Sequence, residues 1–116
     1  MGVTGIGGFF FRAQDPESLA AWYREQLGVG LGDWGVWEQQ AGPSVFSPYA
    51  ADSEEIPAGK HWKLNFRVEG LEAMKAALVA GGIEVITKPD WDSAGIGRFA
   101  QLHDPEGNLI ELWEPC

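Results

Sequence analysis

The sequence predicts an α+β fold in which two βαβββ modules form one cupped mixed sheet. Three observations predict it. A strand, helix and glycine stop occur twice, in "GGFFFRAQDPESLAAWYREQLG" and in "KLNFRVEGLEAMKAALVAGG". The two copies are in phase: Phe11-Arg12 matches Phe66-Arg67, and at the same offset Leu19 matches Met74 and Tyr23 matches Leu78. Short apolar runs broken by turn residues follow each copy. A repeated supersecondary unit of this kind packs beside its own second copy.

Each element has its own signal. Gly7 to Ala13 is an apolar run with one arginine and suits a strand. Asp15 is a good N-cap, with Pro16 at the first helical position and Glu17 in the first turn. Leu19, Trp22, Tyr23 and Leu27 make one apolar helical face, and Gly28 stops it. "WGVWEQQ" and "SVFSPY" read as strands parted by "AGP", and the third small strand of this half is poorly defined. In the second half "KLNFRV" is a strand and "GLEAMKAALVAGG" a helix with its stop. "IEVITKP", "IGRFAQLHD" and "LIELWEP" are strands, with the turn "PEGN" before the last. The chain reads as one domain over 1–116: module one about 5–50, an acidic linker about 51–60, and module two about 61–116.

Composition narrows the function. The 116 residues are 45% hydrophobic and 12% aromatic, enough for a real core. A net charge of −9 disfavours nucleic acid and an anionic membrane surface as partners. No apolar run nears the roughly 18 residues that span a bilayer, and "MGVTGIGG" does not resemble a signal peptide. The expectation is a cytoplasmic protein. Cys116 is the one cysteine, so neither an intramolecular disulfide nor a cysteine zinc site is open to the chain.

Strand alternation then sorts the faces. Phe9, Phe11 and Ala13 share one side, and Gly8, Phe10 and Arg12 the other. Leu64, Phe66 and Val68 share one side, and Lys63, Asn65 and Arg67 the other. The apolar sides meet the helices. In the last strand Ile110 and Leu112 go with the helix side, which leaves Leu109, Glu111 and Trp113 on the polar side. Arg12, Lys63 and Arg67 thus share a face with Glu111, and that face is the candidate pocket.

The duplication, with "DPESLAAWYREQLGV" early and "HDPEGNLIELWEP" late, resembles the glyoxalase / bleomycin-resistance / extradiol-dioxygenase family, the vicinal oxygen chelate superfamily. The resemblance implies a cupped sheet around a ligand or metal, commonly within a homodimer. It also implies metal ligands at matching points of the two modules. Those points fall on Gly8, near Phe46, on Lys63 and on Glu111, and among them Glu111 alone is a ligand-type residue. A divalent site needs about three protein ligands.

The leading expectation is therefore a pocket without metal or other cofactor that binds a small aromatic or anionic organic molecule. Arg12, Lys63, Asn65, Arg67 and His103 would serve its polar groups, and Phe10, Trp37 and Trp113 its apolar ones. Glu111 can be read as the partner of Arg12, Arg67 or Lys63 across the pocket, or as a metal ligand, or as a general base. The second reading is a metal-dependent lyase or dioxygenase in which a divalent ion is held by Glu111 with His61 or His103. His61 reaches the ligand position through a slip of two residues, which preserves facing. The third is a metal-free enzyme with Glu111 as base.

Overall fold

The computed structural model describes all 116 residues. Five regular elements carry it. They are α1 (Pro16–Leu27), β1 (Leu64–Arg67), α2 (Leu71–Ala80), β2 (Gly97–His103) and β3 (Leu109–Pro115). Single 3-10 turns lie at Asp33–Gly35 and Pro89–Trp91. No helix is long and apolar enough to cross a membrane.

α1 begins where its sequence says. The Asp15 side chain accepts from the Ser18 backbone N–H, and Gly28 closes the helix in the left-handed conformation. The Ser18 N–H and then its hydroxyl hold the Asp15 carboxyl below its ordinary value. α2 lacks a capping side chain of its own, and Glu114 of β3 substitutes by accepting from the N–H groups of Gly70 and Leu71.

The sheet order is β1-β3-β2, with β1 parallel to β3 and β2 antiparallel to it. Leu64, Ile110 and Leu102 form one transverse row, and Phe66, Leu112 and Ala100 another. These rows meet Leu19 and Tyr23 of α1 and Leu71 and Leu78 of α2 in one core. Leu71, Leu102, Ile110 and Leu112 are fully buried, each contributing roughly 1.5–3 kcal/mol by transfer from water.

The "DPEGN" turn locks α1 to this sheet. Asp104 Oδ1 accepts from the N–H groups of Glu106 and Asn108. Asp104 Oδ2 accepts from Nδ2 of Asn108 at 2.8 Å and from the Tyr23 hydroxyl at 2.6 Å. Burial, and secondarily Asp104, push the Tyr23 phenol far above its ordinary value. Glu106 accepts from the N–H groups of Gln14 and Asp15, just ahead of α1.

The two halves differ from the prediction in opposite degrees. The second half follows strand, helix, strand, strand, except that "IEVITKP" is reduced to one bridge, Ile86 with Gln101. The first half supplies α1 and no strand: residues 7–13 and 36–50 carry no ladder. A strand needs a neighbouring strand for its N–H and C=O groups, and Pro43 and Pro48 remove two donors from the second of these segments. Side chains hold the first segment instead. Phe9 and Phe11 pack on Trp62 at 5.0 and 5.2 Å between ring centroids, and Phe11 meets Tyr23 edge-on. The radius of gyration, 14.7 Å, exceeds the about 13.4 Å usual for this length, in keeping with a loosely packed first half.

Candidate functional site

Register builds the site. Asn65 stands opposite Glu111, and Glu111 opposite Gln101. The next row on the same face is Arg67, Trp113 and Phe99. These rows alternate with the core rows, so they lie on the face turned away from the helices.

Glu111 is the centre of the floor. Its Oε1 accepts from Nδ2 of Asn65 at 2.9 Å, and its Oε2 from Nε2 of Gln101 at 3.1 Å. Nζ of Lys63 stands 3.7 Å from Oε1 and equally 3.7 Å from Oε2 of Glu55. The Lys63 and Glu111 side chains are 9% and 15% exposed. A charge this far from water needs such partners.

A loop walls the β1 side. The Arg67 guanidinium donates to the carbonyls of Gln40, at 2.6 Å, and Pro43. Gly42 makes room for it, since a Cβ there would sit 2.8 Å from Cζ of Arg67. The Lys63 ammonium lies over the Tyr49 ring at 5.3 Å. Aromatic rings wall the β2 side. Phe99 and Trp113 are nearly parallel, 8° apart with centroids at 6.4 Å. The indole N–H of Trp113 donates to the Ile96 carbonyl at 3.0 Å and pins the "SAGIG" turn.

The predicted site residues separate into two groups. Lys63, Asn65, Arg67, Glu111 and Trp113 share this face. No hydrogen bond, ion pair or ring contact joins the others to it. Phe10 is 93% exposed, and Arg12 is exposed and forms no ion pair. Trp37 meets the edge of Phe66, a member of the helix-facing row. His103 lines a separate cleft of 280 Å³ with Trp22, Ile83 and Glu84. His61 is exposed, and no three histidine, cysteine or acidic side chains converge as a metal site would require. A further cleft of 220 Å³, lined by Lys75, Lys88 and Arg98, lies beside α2 and does not include Glu111. Sequence reasoning missed Gln101, Phe99, Tyr49 and Glu55. Alternation along "RFAQLH" was signal enough for the first two, since Ala100 and Leu102 are plainly inward residues.

A family model described as "Glyoxalase-like domain" matches residues 8–113. CFP32 of Mycobacterium bovis and of Mycobacterium tuberculosis, provisionally named a glyoxylase, is 38% identical over 56 residues. That match covers 48% of this chain and 21% of those proteins, so the chain matches about a fifth of their length. Among solved structures, TnmS3, an antibiotic binding protein from Streptomyces sp. CB03234, aligns over 100% of this chain and 99% of its own. The TM-score is 0.64 and the identity 25%. A glyoxalase/bleomycin resistance protein from the same Streptomyces aligns over 87% of this chain and 92% of its own, with a TM-score of 0.52 and 26% identity.

Proposed function

The chain belongs to the glyoxalase-like domain family, and on that premise we propose that it holds a small aromatic organic molecule non-covalently on the open face of its sheet. Asn65, Glu111 and Gln101 form the floor, and Phe99 and Trp113 the aromatic wall. The likeness to an antibiotic-binding protein over the whole chain supports a binding role.

The observation that carries this reading is the occupation of Glu111. A general base or a metal ligand must turn a lone pair toward substrate or ion. Here both carboxylate oxygens face amides of the protein, and an ammonium stands beside them. The residues do not fit a divalent ion, because Lys63 places a positive charge where such an ion would need ligands. His61 and His103 supply no replacement, since neither joins Glu111 in a ligand cluster.

Elemental analysis tests this, on protein purified without chelator and again after loading with nickel, zinc, manganese and iron. The expected result is no stoichiometric metal, with small aromatic compounds changing tryptophan fluorescence under the same conditions. Near-stoichiometric metal that disappears in Glu111→Ala overturns the reading in favour of a lyase or dioxygenase.

A second copy of the chain completes the cup in this proposal. Phe10 and Phe46 are 93% and 88% exposed, and both sit in extended segments without a ladder. Large exposed apolar side chains on unpaired backbone suit pairing with another chain.

A further inference from the structure

The amides beside Glu111 carry information about the ligand's chemistry. A carboxylate only accepts hydrogen bonds. Asn65 and Gln101 must therefore both turn their NH₂ groups toward Glu111. Their carbonyl oxygens consequently point away from it. Neither Oδ1 of Asn65 nor Oε1 of Gln101 accepts from any group of the protein. Asn65 is an exposed residue, and since no sealed side-chain oxygen lacks a partner, Oε1 of Gln101 is not sealed from solvent.

The cations on this face are already engaged. Lys63 lies between Glu55 and Glu111. Arg67 is turned to the carbonyls of Gln40 and Pro43. These two cations and two carboxylates leave no positive surplus. The surface left for a ligand consists of two carbonyl oxygens flanking a carboxylate, two strand spacings or about 10 Å from end to end, beside two aromatic rings.

We infer that this face selects aromatic molecules bearing N–H or O–H donors, such as amines, amidines and phenols, and discriminates against carboxylates and phosphates, with Asn65 and Gln101 as the specificity-determining residues. The inference rests on the proposed binding role and deepens it. An anionic group placed here would meet three acceptors, with the nearest cations, Lys63 and Arg67, turned to Glu55 and Glu111 and to the Gln40 and Pro43 carbonyls, whereas a donor would find the lone pairs of the two amide oxygens.

Calorimetric titration at neutral pH with four matched naphthalenes tests it: 2-naphthamidine, 2-naphthol, 2-naphthoate and 2-methylnaphthalene. The amidine and naphthol are expected to bind about tenfold or more tightly than naphthoate, the worth of roughly one net hydrogen bond. Gln101→Leu and, independently, Asn65→Leu should each lower the affinity for amidine relative to methylnaphthalene several-fold. Glu111→Gln supplies a sharper readout. Glutamine can donate as well as accept, so the flanking amides are free to turn over, and the preference for donors over naphthoate should collapse toward unity. Naphthoate binding as tightly as the amidine overturns the inference and leaves aromatic binding intact. No binding by any of the four, methylnaphthalene included, overturns the binding role and the inference with it.

Discussion

The phenol of Tyr23 donates to Asp104 Oδ2 at 2.6 Å and so joins α1 to the turn before β3, 81 residues further along the chain. Tyr23 is also part of the buried core. One side chain thus supplies both apolar contact and a buried polar link between the halves.

Tyr23→Phe keeps the ring and deletes the link. Asn108 still donates to the same oxygen of Asp104, so the loss should stay near 1–2 kcal/mol. Tyr23→Ala also empties the ring's place and should cost about 3–5 kcal/mol. Urea midpoints measure both, with slopes unchanged. The pH dependence follows from the raised phenol. The unfolded chain releases this proton near the ordinary value of 10.0, while the native chain retains it. The native state then binds more protons, so stability falls as pH rises. The contribution is whole below about pH 10 and declines above it, by at most about 1.4 kcal/mol per pH unit. Tyr23→Phe should flatten that alkaline decline. An equally steep decline in the variant would assign it to other groups.

Gly97 opens β2 with φ at +142°, and a Cβ there would strike the Glu114 carbonyl and come within 2.7 Å of the Trp113 indole nitrogen. Gly95, with φ at +82°, has nothing within 4 Å. Gly97→Ala should therefore cost about 3 kcal/mol or more, and Gly95→Ala only about 1 kcal/mol for its backbone. Thermal unfolding compares them. Tryptophan emission should shift to the red in Gly97→Ala alone, because the Trp113 contact with Ile96 is lost. Equal costs at the two glycines would contradict the close packing at Gly97.

Pairing of two copies should appear in sedimentation as a dimer at micromolar concentration. Phe10→Ser combined with Phe46→Ser should shift the chain to monomer while leaving helical circular dichroism in place. A wild-type chain that sediments as a monomer at every concentration would reject the pairing.

The inward and outward rows of β1 and β3 were legible because alternation is strict wherever one face is buried. Leu64, Phe66, Ile110 and Leu112 announced the core by type, and Asn65 and Glu111 followed as their opposites. α1 was legible from its cap and its stop, and α2 from its glycine stop. The first-half strands were not, because "GGFFFRA" has strand composition, yet pairing depends on a partner that composition does not reveal. Arg67 is a similar case. Its facing was predictable, but its engagement with the Gln40 and Pro43 carbonyls depends on where a loop crosses the sheet. Trp37 and His103 were drawn to the pocket by residue type, and the same dependence on loop path and strand end set Trp37 against Phe66 and His103 beside a separate cleft.

β3 is the last of the elements in chain order and the middle strand of the sheet. During synthesis α1, β1 and α2 emerge before the strand that unites them. Until β3 arrives, Leu19, Leu71 and Leu78 have no sheet to cover, and the edge of β1 has no neighbour. Closure of the parallel pair also awaits a long excursion of the chain, which slows folding relative to local hairpins. The nascent chain therefore passes through an interval with its future interior exposed, in which capture by a chaperone and self-association compete with completion of the fold.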